Sequence, residues 1–153
     1  MEKLRPRLLV VAALVWGPDG LIVQRRPEDA KHGGGALELP GGKVELGEAP
    51  RQALVRELAE EWGEAAGSLH VGGLAEVLHH VYPPPGPEVV LLVFHVDGAQ
   101  LSGRLQPLPG ASVERYSSSE LPVQDFLEAD RPFLARVRAG EIRRPPGRRV
   151  DPA

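Results

Sequence analysis

The sequence predicts an α/β domain of the α+β kind, in which a β-sheet is covered by a few helices. Apolar runs bounded by turn residues occur in both halves of the chain, and one amphipathic helix pattern lies between them. The chain has 153 residues, of which 42% are hydrophobic and 25% charged, as is usual for one packed domain. We expect a single domain over residues 1–142 and a frayed tail over residues 143–153.

The composition excludes several classes of function. A net charge of −3 gives no positive field for long nucleic acid. The absence of cysteine excludes disulfides, thiolate metal sites and cysteine nucleophiles. No apolar run approaches the ~20 residues of a membrane span. We therefore expect a cytoplasmic protein that binds neither membranes nor long nucleic acid, and we leave its oligomeric state open.

The first strands are predicted near the N-terminus. The apolar run Leu8–Trp16 is followed by a tight turn and a second β pattern over Leu21–Arg26. Basic residues before the first run also resemble a short signal peptide, but no small-residue cleavage site follows, which favours a strand. Next come a glycine-rich loop over residues 27–36 and a broken extended segment over Leu37–Val44.

A helix is predicted over Ala49–Glu64. Leu54, Leu58 and Trp62 recur every four residues, and at about 100° per residue Ala65 joins them on one apolar face. That face predicts which side of the helix packs on the sheet.

The second half of the chain predicts more strands and a closing helix. Strands are expected over Leu69–Val81 and Val89–Val96, followed by a loop over residues 98–112. Ser117-x-x-Glu120 has the spacing of a capping box and predicts a short helix. The last helix is expected over Pro132–Ala139.

The face beside the apolar stripe of the central helix carries four carboxylates: Glu57, Glu60, Glu61 and Glu64. Neighbours three or four residues apart lie ~5–6 Å from one another at Cβ, and their like charges repel. Mg²⁺ is usually held by a few carboxylates and substrate phosphates, so a bound metal would relieve this repulsion. The alternative is a solvated face, with Arg56 paired to Glu60.

Glycines just upstream of this helix strengthen the metal interpretation. Gly41, Gly42 and Gly47 predict a loop with positive φ angles, in which the backbone can approach a ligand closely. An ordinary tight turn is the alternative.

The segment from Gly42 to Gly63 resembles the signature of a known family. Gly42, Glu48, Arg56-Glu57-Leu58, Glu60-Glu61 and Gly63 stand at the spacing of the Nudix hydrolase signature, Gx5Ex7REUxEExGU, where U is a bulky aliphatic residue. Only the last position departs, with Glu64 in place of an aliphatic residue. The resemblance implies a Nudix α/β/α sandwich with a mixed β-sheet. It also implies Mg²⁺-dependent hydrolysis of a nucleoside diphosphate linked to another group, with Mn²⁺ as an alternative cation.

The resemblance also implies roles for individual residues. The implied catalytic set is Glu48, Arg56, Glu57, Glu60 and Glu61. Its last three members are implied metal ligands, together with the carbonyl oxygen of Gly41. Arg56 is implied to hold the glutamates in place, with Glu48 as a supporting carboxylate.

A narrower similarity to the MutT branch of the family extends over most of the chain, through segments 23–27, 37–43, 46–50 and 121–133. It implies hydrolysis of a (d)NTP, with 8-oxo-dGTP as a candidate, to the monophosphate and pyrophosphate. The implied substrate-binding residues are Arg26, Glu38, Leu39, Pro40, Gly41 and Asp130. Arg26 would contact phosphates; a solvated strand end is its alternative.

Asp130 occupies the place where the MutT branch often has Asn in its base-reading segment. An ionised Asp only accepts hydrogen bonds, which would favour an exocyclic amine or a ring N–H on the base. The alternative is an N-cap for the last helix. His79-His80 is expected to face nucleotide or solvent, and Tyr82 to belong to the core or a pocket wall.

Several points stay open at the level of sequence. The distal acid that often assists catalysis in this family has Glu114 and Glu88 as candidates. CTP, ADP-ribose or another nucleotide sugar are alternative substrates. A Nudix-fold domain that binds nucleotides without turnover is an alternative of another class.

Overall fold

A mixed seven-stranded sheet with helices on both faces forms the fold. The computed structural model describes residues 5–101 and 105–147. Within these ranges, no helix is long and apolar enough to cross a bilayer.

The strands and helices follow the predicted order through the first two thirds of the chain. The strands are β1 (Arg7–Gly17), β2 (Gly20–Arg25), β3 (Leu37–Glu38), β4 (Gly41–Lys43), β5 (His70–Val81), β6 (Glu88–Asp97) and β7 (Ser112–Tyr116). The helices are α1 (Pro50–Trp62), α2 (Glu64–Gly67) and α3 (Arg131–Arg138).

The sheet combines one parallel pairing with antiparallel ones. Its strand order is β3-β2-β1-β6-β5, with β4 also paired to β1 and β7 to β2. Strand β1 runs parallel to β6 from Arg7 opposite Glu88 to Trp16 opposite Asp97. The other strand pairs in the described ranges are antiparallel. The expected mixed sheet is thereby confirmed.

Strand β1 lies at the centre and is buried on both faces, which explains its continuous apolar run. Val11, Ala13 and Val15 pack with α1, whereas the alternate residues, such as Leu14, pack with the α3 side. Helix α1 therefore covers one face of the sheet. Helix α3 covers the other, and the expected α/β/α layering is confirmed.

Helix α1 ends earlier than predicted. Gly63 has a φ of +94°, in the left-handed region that favours glycine, and it separates α1 from α2. The break changes the buried face, because Ala66 is fully buried whereas Ala65 is not. Helix α1 therefore ends at Trp62, shortly before the predicted end near Glu64, and the expected place of Ala65 on its apolar face was wrong.

The C-terminal third also differs from the prediction. Strand β7 begins inside the predicted loop over residues 98–112 and pairs with β2 over Leu21–Arg25. Ser117 stands at the N-cap of a short 3₁₀ helix over Ser118–Glu120 but makes no side-chain cap, so the predicted short helix is present and the predicted capping box is wrong. Helix α3 confirms the closing helix to within one residue.

The expected tail is described only in part. The side chains of Arg143 and Arg144 donate to the carbonyl oxygens of Gly140 and Trp16, at 2.8 and 3.2 Å. Residues 148–153 lie outside the described part of the chain, and the domain boundary at residue 142 stays a prediction.

Candidate active site

Two glycines bring strand β4 directly against the acidic face of α1. A Cβ on Gly42 would lie 2.3–2.6 Å from the carboxyl atoms of Glu57, and one on Gly41 would lie 2.0 Å from a backbone oxygen of β1. The backbone N–H of Gly41 donates to Glu61 Oε2 at 3.0 Å. The close approach therefore requires glycine at position 41, where backbone atoms block a Cβ, whereas at position 42 a Cβ would displace the flexible side chain of Glu57. Of Gly41, Gly42 and Gly47, for which the sequence predicted positive φ angles, only Gly47 has one, at +80°.

Arg56 connects the acids of α1 to the loop before the helix. Its guanidinium donates two hydrogen bonds to Glu48, at 2.8 and 2.9 Å, and one to Glu57 at 2.9 Å. The carbonyl oxygen of Lys43 accepts another at 3.0 Å, and both carboxylate oxygens of Glu60 lie 3.4 Å from Nη1. The guanidinium, helped by a backbone N–H of the loop, lowers the pKa of Glu48 to about 2.

The two inner acids of α1 resist ionisation. Burial raises the pKa of Glu61 to about 8, and the negative charges of Glu38 and Glu57 add to this, whereas the hydrogen bond from Gly41 opposes it. Burial also raises the pKa of Glu57, although Arg56 opposes that shift. A cation beside these carboxyl groups would stabilise their charged forms.

The donors at this place fit a hard divalent cation by their chemistry. Glu57, Glu61 and Gly41 offer carboxylate and carbonyl oxygens, which are the donors that Mg²⁺ prefers. In the described ranges, however, no three Asp, Glu or His side chains converge as a metal cluster. The side chain of Glu60 is 56% exposed and lies beside Arg56. The ligand set of Gly41, Glu57, Glu60 and Glu61 therefore stays a prediction.

A cavity of about 240 Å³ opens beside β4 on the α3 side of the sheet. Four of the predicted substrate-binding residues line it: Glu38, Leu39, Gly41 and Asp130. Pro40 is buried, and its carbonyl oxygen accepts a hydrogen bond from the backbone of Ala13 at 2.9 Å. Gly41 thus belongs both to this cavity and to the acidic face of α1.

Asp130 faces the cavity although it stands at the N-cap position of α3. Its side chain makes no capping hydrogen bond. Burial, with the negative charge of Glu38, raises the pKa of Asp130 to about 6. Of the two interpretations of this residue, the capping one is wrong. At neutral pH its carboxylate is an acceptor in the cavity wall.

Arg26 is neither a solvated strand end nor part of the cavity lining. Its Nη1 donates to Glu38 Oε2 at 2.9 Å and its Nε to the carbonyl oxygen of His32 at 2.9 Å. Arg26 therefore fixes an acid of the cavity wall. Its contact with a substrate phosphate stays a prediction.

The two candidates for a distal acid are both engaged in ion pairs. Glu114 on β7 accepts hydrogen bonds from Arg25 and Tyr116. Glu88 on β6 pairs with Arg7. Each carboxylate is tied to a neighbouring strand.

Gln24 is the residue of this region that the sequence analysis missed. It is 6% exposed, accepts a hydrogen bond from the indole of Trp62 at 2.8 Å, and donates to Glu38 at 2.9 Å. The available signal was an uncharged amide between the apolar residues of this strand and the two arginines that follow it. His80 and Tyr82, at the end of β5, line the cavity wall. This agrees with the expectation that His80 faces nucleotide or solvent and that Tyr82 belongs to the core or a pocket wall.

Comparison with families and relatives gives a consistent match. The model of the NUDIX domain matches residues 6–139. The 8-oxo-dGTP diphosphatase of Escherichia coli (strain K12) is 34% identical over 118 residues, which cover 77% of this chain and 85% of that protein. The CTP pyrophosphohydrolase of the same strain is 34% identical over 136 residues, which cover 89% and 95%.

Solved structures match the fold as well. The MutT protein from Methanosarcina mazei Go1 aligns with a TM-score of 0.73 and covers 93% of this chain and 100% of its own. At 21% sequence identity, this likeness shows a common fold.

Proposed function

This chain belongs to the NUDIX family as a MutT-like Nudix hydrolase, and we propose that it cleaves nucleoside triphosphates to the monophosphate and pyrophosphate. The observation that carries the proposal is the position of Gly41, which lines the cavity and donates to Glu61 on the acidic face of α1. A nucleotide with its base in the cavity would extend its phosphates past β4 toward those acids.

We propose Mg²⁺ as the cation, with Mn²⁺ able to replace it, held by Glu57, Glu60, Glu61 and the carbonyl oxygen of Gly41. A bound divalent cation supplies charge neutralisation and in-line orientation of the phosphates. The protein's part is to hold these oxygens in place. Arg56 does this for Glu57 through its hydrogen bond at 2.9 Å.

Glu48 supports the same arrangement from the loop before α1. It binds two nitrogens of Arg56 and is itself held by the backbone N–H of Glu45 at 3.1 Å. A guanidinium that is bound at two points loses much of its freedom to rotate, so its remaining donor stays on Glu57.

The carboxylates of the cavity wall favour a base with N–H donors. Asp130 accepts hydrogen bonds when it is ionised. The oxidised base 8-oxoguanine has one ring N–H more than guanine and can therefore donate one more hydrogen bond. We therefore propose 8-oxo-dGTP as the first substrate candidate. CTP is the second, because the exocyclic amine of cytosine can also donate to Asp130. ADP-ribose and other nucleotide sugars are the third substrate candidates.

The experiment is a substrate panel with and without Mg²⁺. It measures pyrophosphate and phosphate released from 8-oxo-dGTP, from CTP and from the other (d)NTPs, and it measures AMP released from ADP-ribose. We expect Mg²⁺-dependent pyrophosphate release that is fastest with 8-oxo-dGTP or CTP. The faster of these two substrates identifies the base that Asp130 selects.

Two other outcomes would change the proposal. AMP from ADP-ribose together with slow triphosphate turnover would keep the enzyme class and overturn the substrate. Nucleotide binding without turnover of any substrate would favour a regulatory domain instead.

A further inference from the structure

Gln24, at 6% exposed, is the least exposed polar or charged residue in the part of the chain that the structure describes. It stands on β2 between the cavity and α1. Burying an amide is unfavourable unless its hydrogen bonds are made, so the partners of this side chain decide why it is tolerated there.

The three partners of Gln24 fix the orientation of its amide. The indole N–H of Trp62 can only donate, so the atom 2.8 Å from it must be the amide oxygen. The amide nitrogen then faces two carboxylates, Glu38 Oε1 at 2.9 Å and Glu61 Oε2 at 3.4 Å. Each of its two N–H groups has one acid to bind.

These contacts occupy both carboxylate oxygens of Glu38 but only one of Glu61. Glu38 receives Gln24 on one oxygen and Arg26 on the other, so both of its oxygens are occupied. Glu61 receives Gln24 and the backbone N–H of Gly41 on the same oxygen, Oε2. Among the described residues, no hydrogen bond reaches its other oxygen, Oε1.

We propose that Gln24 is a positioning residue that holds Glu61 by Oε2, leaves Oε1 available to a divalent cation, and joins this acid to Glu38 in the cavity wall. The inference rests on the proposed function, because it takes Glu61 as a cation ligand. The amide also separates two carboxylates that would otherwise repel each other.

The same arrangement links the nucleoside cavity to the acidic helix. A base that contacts Glu38 contacts the carboxylate to which one N–H of Gln24 donates, and the other N–H of the same amide donates to Glu61. Hydrogen-bonded partners of metal ligands orient those ligands, and their loss typically weakens metal binding or activity by about 10–100-fold.

The test is Mn²⁺ binding to the nucleotide-free protein by titration calorimetry. Gln24→Met keeps the length of the side chain and removes both donors. Gln24→Asn keeps an amide that is too short for all three partners, and it replaces Gln24→Met if that variant does not fold. Trp62→Phe is the matched control, because it removes the indole contact but keeps both donors to the acids.

We expect Gln24→Met to weaken Mn²⁺ binding by about 10–100-fold, and Trp62→Phe to weaken it less. A second readout is the Mg²⁺ dependence of turnover. Loss of positioning raises the Mg²⁺ concentration needed for half-maximal rate more than it lowers the rate at saturating Mg²⁺, whereas general damage to the fold lowers the rate at every concentration.

Glu61→Gln separates this inference from the proposed function. If Glu61→Gln weakens Mn²⁺ binding and a folded Gln24 variant does not, the inference is wrong and the proposed function stands. Equal losses in Gln24→Met and Trp62→Phe would assign the effect to the contact between those two residues and also overturn it. If Glu61→Gln binds Mn²⁺ as tightly as the wild type, Glu61 is not a cation ligand and the inference is wrong, while the substrate panel decides the proposed function separately.

Discussion

Two arginines organise carboxylates in this protein, and they do so in contrasting surroundings. The Arg56 cluster consists of Arg56, Glu48, Glu57 and Glu60; the Arg25 cluster consists of Arg25, Glu114 and Tyr116. In each, two guanidinium nitrogens bind one carboxylate. Glu48 is 8 residues from its arginine along the chain, whereas Glu114 is 89 residues from its own.

The difference between the clusters lies in their charge balance. Arg25 binds one carboxylate, to which the phenol of Tyr116 also donates, and the carbonyl oxygen of Gly35, so its positive charge is matched. Arg56 faces the three carboxylates of its cluster, and Glu45 lies 4.0 Å away as a fourth, which leaves an excess of negative charge beside the glycines of β4. The balanced cluster joins strand to strand. The Arg56 cluster, with its excess of negative charge, is the place where a cation would be stabilised. The excess of negative charge therefore distinguishes the candidate metal site from the structural ion pair at Arg25.

The largest effect is expected from Glu57→Gln in the Arg56 cluster. It removes a carboxylate that we propose as a cation ligand, so turnover should fall by about 100-fold or more, while nucleotide binding is retained. Steady-state rates and nucleotide titration measure the two properties. Glu64→Gln is the control, because it removes an acid beyond the helix break at Gly63, and its turnover should match the wild type. Normal turnover of Glu57→Gln would contradict the proposed site.

Arg56→Gln and Arg25→Gln compare the two clusters directly. Arg56→Gln frees Glu57 and Glu48, and should lower kcat/KM by about 10–100-fold. Arg25→Gln should leave kcat/KM unchanged and lower the free energy of unfolding by about 1–3 kcal/mol, because it breaks charge-assisted hydrogen bonds between strands. Kinetics and urea unfolding of both variants test this. Equal kinetic losses would contradict the division of roles.

Gly42→Ala changes the Arg56 cluster without removing any of its charges. The new Cβ would lie 2.3–2.6 Å from the carboxyl atoms of Glu57, so this flexible side chain must move. We expect turnover to fall about tenfold with little change in the melting temperature. Gly73→Ala is the matched control, because no atom lies within 4 Å of its new Cβ. Unchanged turnover in both variants would show that the position of Glu57 does not matter.

The smallest effect is a pH dependence of the Arg25 cluster. Hydrogen bonds from Arg25 lower the pKa of Glu114 below its usual 4.5 in the folded protein. The stabilisation is therefore complete above the pKa of the unfolded chain and is lost as the pH falls through the folded pKa. The wild type should exceed Glu114→Gln in unfolding free energy at about pH 7, and the difference should shrink as the pH falls below 4.5. A difference that is constant with pH would contradict this.

Local patterns account for what could be predicted from the sequence. Leu54, Leu58 and Trp62 are buried as their period of four residues predicted, and the spacing from Gly42 to Glu57 indicated that glycines and acids share a site. Strand β7 was missed, because a five-residue segment with no continuous apolar run becomes a strand only by pairing with β2. Gly63 was known as a motif residue, but its φ of +94° decides where α1 ends.

The sequence by itself determined the central helix, the acids on that helix and the family signature, because these depend on residues close together in the chain. The mixed sheet was expected only because the family resemblance implies it. Only the tertiary structure decided the partners that lie far apart: the bonds from Gln24 to Glu38 and Trp62, the pairing of Arg25 with Glu114, and the place of Asp130 in the cavity. A side chain's hydrogen-bond partners across the sheet follow from strand register and helix packing, which no local pattern contains.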